Sequence, residues 1–559
     1  MNWILGVLII LILLFLVSNY NKKRRKKNLL NDLVSNWSKP KDFSTSRFNL
    51  IEKYYKNTEH KHENEIFHRI SDRTVSDLDL EDVFEVIDRT NSKIGEQYLY
   101  YKIRNIGDQN SLSDFHKLTL LFEENESLRL KTQVELTNIN YHKSYYFEEL
   151  VTSEPMEKPK ILWLVYTLTI TTLLCMYFGF YFPILFLLIV PIFAINTVLH
   201  YKNKWKISSY INAVSQLPYV LSVLRNIAAY PEIKSKFPDT SFIKEIEKVE
   251  LKTKFISFET NTNNEFIALI NGLIVPIKIL FNLEYLIFYS FIDSITIKKR
   301  ELKKMFHFIG EIDAAISTAS LKASSYELCN PVFIEENNFK TKSISHPLIE
   351  DCITNDLSLE NNSLLLTGSN MSGKTTFIRS VAINSILAQT LNICFAEEYM
   401  APFFKLYSSI RITDDLLDNT SYYLAEVLTI KELIDTSKQD NPCLFVLDEI
   451  FKGTNTVERV SGGKAILSYL NQGNNMVLVS THDIELTEIL SKENYKLYHF
   501  TEQIDSNELI FDYKLKNGEL KTRNAIRILE LHKYPTEIIM DARTTEEAVF
   551  ASSVHTTLG

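Results

Sequence analysis

The hydrophobic pattern of this chain changes character three times. From Trp3 to Val17 every residue is apolar, and Lys22, Lys23, Arg24, Arg25, Lys26 and Lys27 follow almost at once. A second apolar stretch, Ile161 to Leu199, is too long for one crossing of a hydrocarbon core of about 30 Å. With Gly179 and Pro183 near its middle, it predicts a hairpin of two helices. A third, Phe266 to Phe291, contains Asn271, Pro276, Lys278, Asn282 and Glu284. Ionisable groups are costly in hydrocarbon, so this stretch reads as a pair of core helices. Beyond Ser363 the pattern shortens. The runs Ser363 to Thr367, Cys443 to Leu447 and Met476 to Ser480 have the length of buried strands, and the segment after the first repeats its apolar residues at helical spacing.

The order of charge around the first run decides its reading. A cleaved signal peptide carries its positive charge upstream and a small-residue cleavage site downstream, and neither pattern occurs here. The basic cluster stays cytoplasmic by the positive-inside rule, which puts Met1 outside. The run spans about 23 Å as a helix, so Ser18 to Tyr20 extend it or the bilayer thins. Lys158 and Lys160 before the hairpin, and Lys202, Lys204 and Lys206 after it, place both its ends on the same basic side. A buried helical pair in a soluble core is the alternative, but no charge interrupts the stretch. The expectation is three transmembrane helices in the cell (inner) membrane. A fourth crossing would carry Lys298, Lys299, Arg300, Lys303 and Lys304 to the wrong side.

With 559 residues, 45% of them hydrophobic, the chain exceeds one core and has the material for several. A formal net charge of −8 excludes a protein that coats nucleic acid through its overall field, leaving only a local basic face. Cys175, Cys329, Cys352, Cys394 and Cys443 show no CxxC pair, which fits packing residues in a reducing compartment and no zinc site.

The strand pattern Ser363 to Thr367 runs directly into Gly368-Ser-Asn-Met-Ser-Gly-Lys-Thr375, and a helical pattern follows. Strand, glycine-rich loop and helix in that order turn backbone N–H groups toward phosphates at a helix N-terminus. Gly368, Asn370, Ser372, Gly373, Lys374, Thr375 and Thr376 are the expected ATP-binding residues, with Lys374 reaching the outer phosphates. Thr375 and Asp448 are the expected Mg2+ ligands. Asp448-Glu449 ends the second strand run, so Glu449 is free to act as general base on the attacking water. His482, after the third run, offers an imidazole near the γ-phosphate.

Thr367 to Thr376, Asp448-Glu-Ile-Phe-Lys-Gly-Thr-Asn-Thr456 and Ser480-Thr-His-Asp483 resemble, in order and spacing, the ATPase motifs of the MutS family. Asp414-Asp415 and Ser421-Tyr-Tyr-Leu-Ala-Glu426 resemble the family segment that reaches across a dimer and sets a serine at the partner's γ-phosphate. His346-Pro347, Asn355 and Phe511-Asp-Tyr-Lys-Leu515 with Gly518 match the flanks of the domain. A weaker match, Asp77 to Phe84 with Asp88-Arg89-Thr90, Gly95 and Tyr98-Leu99, looks like the start of the MutS core. The resemblance implies an α/β P-loop NTPase domain of ABC- and MutS-like type preceded by a mainly helical core. It also implies catalytic roles for Glu449, His482 and Ser421, and a nucleotide-gated homodimer. Two departures stand out. The glycine usual two residues before the trans serine is Asn419, and the family's adenine-side aromatic is replaced around Cys352 and Ile353.

The expected organisation is an anchor and basic cluster over 1–30, a linker and core-like region over 31–160 and the hairpin over 161–199. A lever-like helical region over 200–309, the ATPase domain over 310–545 and a tail over 546–559 follow. Only about seventy residues precede the core-like segment, which leaves no room for a mismatch-reading domain. Phe333-Ile-Glu335 has the form of the family's mismatch wedge but lies beside the ATPase domain, where it reads as a chance triplet. Two functions remain open: a membrane ATPase that contacts lipid and also DNA or a DNA-associated partner without mismatch preference, or an ATP-switched membrane scaffold or sensor. A transporter is the weakest reading, since the two spanning stretches hold no ionisable residue.

Overall fold

A computed structural model of the chain describes residues 2–41, 47–58, 66–154, 156–257, 275–369, 371–411, 422–438, 441–451, 454–505, 508–520 and 525–545. Asn370, Asp414, Asp415, Asn419, Ser421, Phe266 to Ile274 and the tail 546–559 lie outside these residues. The chain forms two compact units that do not follow chain order. One comprises Met1–Asn64, Ile87–Arg104 and Ser113–Ser325; the other comprises Glu65–Val86, Asn105–Leu112 and Tyr326–Gly559. The core-like segment is therefore shared between them: Asp77 to Phe84 belongs with the second unit, and Asp88 to Leu99 with the first.

In the helical unit, Leu302, Met305, Phe306, Ile309, Ile312 and Ile316 recur at helical spacing on the buried face of Lys299–Lys322. That face packs on helix Lys93–Arg104. The two meet at Asp313, whose carboxylate accepts from the backbone N–H groups of Asn91 (2.7 Å) and Ser92 (2.8 Å). A carboxylate at this helix N-terminus satisfies donors that the helix leaves free. Gly95 makes room for it, because a Cβ there would sit 2.0 Å from Asp313 Oδ2. The Asp88-to-Gly95 motif is thus a structural clasp.

Helices Leu162–Gly179 and Leu185–Ala228 carry the predicted hairpin. Trp163 (68%), Phe180 (83%), Leu187 (70%) and Val190 (68%) are exposed, whereas a helical pair in a soluble core would be largely covered. Among the described residues two helices, Leu162–Gly179 and Leu185–Asn203, are long and apolar enough to cross a membrane, where the sequence reading counts three. The Trp3–Val17 run lies on helix Asn2–Ser35, with Phe15, Leu16 and Val17 exposed. The described part of the third stretch forms helical turns over 275–280 and the helix Leu283–Ile297, with Phe288, Tyr289 and Phe291 buried.

The second unit is built on a six-stranded sheet. Its strands are β1 (Ser363–Thr367), β2 (Lys405–Ser409), β3 (Cys443–Asp448), β4 (Met476–Thr481), β5 (Tyr495–His499) and β6 (Lys516–Asn517), in the spatial order β6-β5-β1-β4-β3-β2. All neighbours are parallel except β5 and β6. β1 and β4 are buried at every position, as strands covered on both faces must be. Helix Lys374–Leu391 contacts β3 and β4, and helix Thr456–Leu470 contacts β4. A second sheet of four strands holds Val332–Phe333 beside Glu398–Ala401. Phe333 there packs edge-on against Phe403, with ring centroids 5.1 Å apart, so the Phe-Ile-Glu triplet is part of a sheet.

Candidate nucleotide site

Parallel register brings the three motifs to one edge. Ser480 on β4 lies opposite Leu366 of β1 and Asp448 of β3, so the glycine-rich loop, the Asp448-Glu449 pair and the Thr481-His482-Asp483 turn all leave the sheet at the same level. In parallel sheets this carboxyl edge is where ligands bind.

Gly368 and Gly373 both hold positive φ, +149° and +101°, which L side chains rarely adopt. Gly373 caps helix Lys374–Leu391, and the Ser372 hydroxyl donates to Ser369 O (2.7 Å), closing the loop on itself. Lys374 is buried and its Nζ donates to the carbonyls of Gly368 (2.7 Å) and Ser369 (2.8 Å). The ammonium is thereby held over the loop, 3.5 Å from His482 Nε2.

Thr375 Oγ1 donates to Asp448 Oδ2 at 3.0 Å, and the Ser480 hydroxyl donates to the other carboxylate oxygen. Two hard oxygens side by side next to a phosphate-binding loop fit a magnesium ion, which takes one or two protein oxygens and completes its shell with phosphate and water. Glu449 stands apart from this pair. Its backbone has φ +58° and its N–H donates to Ser480 O (2.9 Å), which turns the side chain to His482; Oε1 lies 2.8 Å from Nε2. Both side chains remain partly exposed. A carboxylate and an imidazole in contact, beside a lysine and a metal-binding pair, are equipped to orient and deprotonate a water.

The sequence reading gave Asp77, Glu426 and Asp483 only as motif positions, and their supporting contacts, with those of Arg459, Asp79 and Arg379, escaped it. The Arg459 guanidinium clamps Asp483 through Nε (2.8 Å) and Nη2 (2.6 Å), tying helix Thr456–Leu470 to the turn that carries His482. Buried Glu426 accepts from the Phe451 N–H, just past Asp448-Glu449. Asp77 accepts from Ser408 Oγ (2.6 Å), Ile410 N (3.1 Å) and Arg411 N (2.7 Å) at the end of β2. Asp79 pairs with Arg411 and with Arg379 on the P-loop helix. Long-range pairs of this kind leave no spacing signal.

A cleft of about 390 Å³ beside Gly373 and Thr376 is walled by Ile344, Ile353, Phe377, Phe500 and Tyr513. Tyr513 lies against Gly373, 3.3 Å from the position a Cβ would take there. Asn355 fixes it, donating to Tyr513 O (3.0 Å) and accepting from Leu515 N (2.7 Å). Two buried histidines flank the unit's core. Burial pushes His68 and His346 each down to about 4; a hydrogen bond to Leu406 O opposes the shift at His68, and the Arg379 charge adds to it at His346.

Of the expected site residues, Gly368, Ser372, Gly373, Lys374, Thr375, Asp448, Glu449 and His482 gather at this edge, and Thr376 lines the cleft beside it. Residues 364–549 match the family model described as MutS domain V. The chain is 30% identical over 278 residues to the DNA mismatch repair protein MutS of Staphylococcus haemolyticus, covering 48% of this chain and 31% of that protein. It is 31% identical over 269 residues to the protein of the same name from Listeria welshimeri, covering 46% and 31%. The chain thus spans about a third of the length of the curated relatives it matches. The segment that carries the sheet edge just described is thus similar to domain V of MutS.

Proposed function

We propose that the protein is a membrane-anchored, Mg2+-dependent ATPase that works as a nucleotide-gated homodimer. The observation that carries the reading is the division of labour at the sheet edge: Thr375 with Asp448 for the metal, Glu449 with His482 for water. Bound magnesium would neutralise charge on the outer phosphates. Lys374 would bind the same phosphates, and Glu449 would take the proton from the attacking water at Oε1 while His482 holds that carboxylate in place. Phosphate release by wild type, Lys374→Ala and Glu449→Gln tests this: the lysine variant should lose nucleotide binding, and the glutamine variant should bind ATP yet hardly turn over. Normal turnover of Glu449→Gln would end the assignment.

The residues described on this edge approach the γ-phosphate from one side. Ser421, expected from the family's trans-acting segment, supplies the dimer reading. Mixed Ser421→Ala and Lys374→Ala proteins, each nearly inactive alone, should regain activity because one composite site per mixed dimer is intact. Continued inactivity of a folded, associated mixture would reject the shared site.

The membrane reading rests on the exposed apolar hairpin and its flanks. Trp205 (86% exposed) and Tyr201 (60%) stand beside Lys202, and Trp163 follows Lys160, an aromatic and basic belt at one end of the hairpin. Cysteines near Met1 and in the Gly179–Pro183 turn should be labelled from outside intact cells, and one near Lys204 should not. DNA contact is proposed from the family, whose matched relatives are named DNA mismatch repair proteins. Duplex binding that weakens steeply with salt and ignores mismatches is expected; its absence at every salt concentration favours the scaffold reading.

A further inference from the structure

The hairpin is apolar outward yet polar at one level inward. Asn196 Nδ2 donates to Leu280 O (2.9 Å), Asn282 Nδ2 reaches Thr169 Oγ1 (3.5 Å), and the single Thr169 hydroxyl proton is shared between Val165 O on its own helix (2.9 Å) and Phe281 O (3.2 Å). Asn196 and Asn282 are buried. The two carbonyls belong to the place where the helical turns over 275–280 stop, since Asn282 has φ +50° and helix Leu283–Ile297 starts afresh. A break of this kind frees carbonyls, and in hydrocarbon they must be satisfied by side chains of neighbouring helices. Here Leu280 O receives the Asn196 amide, and Phe281 O shares the Thr169 hydroxyl with Val165 O.

Three spacings agree on where this break lies. Leu162 begins its helix about seven residues before Thr169, and Asn203, next to Lys202, follows Asn196 by about seven, each roughly 10 Å along a helix. Tyr289 follows Asn282 by the same interval, and its hydroxyl donates to Asn203 Oδ1 (3.1 Å). Further out, Lys158 Nζ pairs with Asp293 at 2.6 Å, with Lys298, Lys299 and Arg300 beyond. The break is therefore level with the interior of the hairpin, and the charges that follow it are level with the hairpin's basic flank. Lys298 also pairs with Glu245 at 2.6 Å, early in helix Ser241–Ser257, so the chain before and after the break is tied together on that flank.

From this geometry, and resting on the membrane reading of the hairpin, we infer that the stretch 275–289 is a re-entrant element. It lies within the basic-side half of the bilayer, is broken at Asn282, and leaves by the face on which Lys298 lies; the Lys278 charge that argues against a plain crossing is buried, so it faces protein and not lipid. It adds no crossing, so the sidedness of the ATPase unit is unchanged. It also explains how Asn282 is tolerated in so apolar a stretch, since it sits where the helix is interrupted. Its contact partner is the lipid acyl phase, which Ile277, 51% exposed, is positioned to meet.

The test uses the full chain reconstituted in phospholipid vesicles, with the photoreactive residue p-benzoylphenylalanine placed singly at Ile277, Leu187 or Tyr423. Irradiation followed by mass spectrometry should give phospholipid acyl-chain adducts at Ile277 and Leu187 and none at Tyr423. In a Thr169→Val, Asn196→Leu background, which removes both donors at similar volume, the Ile277 adduct should fall severalfold while the Leu187 adduct persists. Adducts at Leu187 without any at Ile277 would overturn the re-entrant element and leave the hairpin standing. No adduct at Leu187 would overturn the membrane reading itself. An Ile277 adduct indifferent to the double substitution would overturn the anchorage by Thr169 and Asn196.

Discussion

Glu449 Oε1 and His482 Nε2 lie 2.8 Å apart although they leave different strands, β3 and β4. The positive φ at Glu449 and its N–H bond to Ser480 O make this contact, turning the carboxylate away from Asp448. Removing the base should slow hydrolysis by on the order of a hundredfold or more, and removing its positioning partner by less, roughly ten- to a hundredfold. Single-turnover phosphate release from Glu449→Gln and His482→Ala, with nucleotide affinity measured alongside, checks the order. An equal loss in both would make His482 a base in its own right.

Tyr513 is expected to stack on the adenine ring from its place against Gly373. Aromatic stacking on a base is worth about 1–3 kcal/mol, so Tyr513→Ala should weaken ATP binding roughly tenfold or more, and Tyr513→Phe should barely change it. Titration with inorganic triphosphate separates the causes, since its affinity should be the same in all three proteins.

Asp77 anchors the segment Glu65–Val86 to the six-stranded sheet through three donors. Asp77→Leu leaves the N–H groups of Ile410 and Arg411 and the Ser408 hydroxyl without their acceptor, at a cost on the order of 3 kcal/mol. Thermal unfolding of the detergent-solubilised chain should show the drop in Tm. Protease cleavage should appear first near residues 65–86.

Acid should destabilise the same unit before its carboxylates titrate. His68 and His346 fall to about 4 when folded, from an ordinary value near 6.5, so between those pH values the unfolded chain binds more protons than the folded one. Stability is then complete above the unfolded value and is lost as pH falls from about 6.5 toward 4, by on the order of 2 kcal/mol per histidine. Urea midpoints from pH 7.5 to 4.5 should follow this slope. They should flatten in His68→Asn, His346→Asn, and an unchanged slope would assign the acid sensitivity elsewhere.

The residues gathered at the sheet edge could be read from short runs of the chain. Gly368, Gly373, Lys374, Thr375, Asp448 and Glu449 were legible because phosphate binding depends on backbone conformation and residue type within a few consecutive positions, flanked by strands whose apolar runs announce them. The hairpin was legible for the same reason, being one long unbroken run. Tertiary structure alone decided what depends on distant pairs. It set the contact of His482 with Glu449, the place of Tyr513 against Gly373, the clamp of Arg459 on Asp483 and the assignment of Asp77 to the unit built on the six-stranded sheet. It also placed the break within the expected helix pair at Asn282, where Asn196 donates to Leu280 O. Such contacts are made by side chains tens to hundreds of positions apart, so no window of sequence contains both partners. Only parallel register and helix packing, which act on the whole chain at once, bring them together.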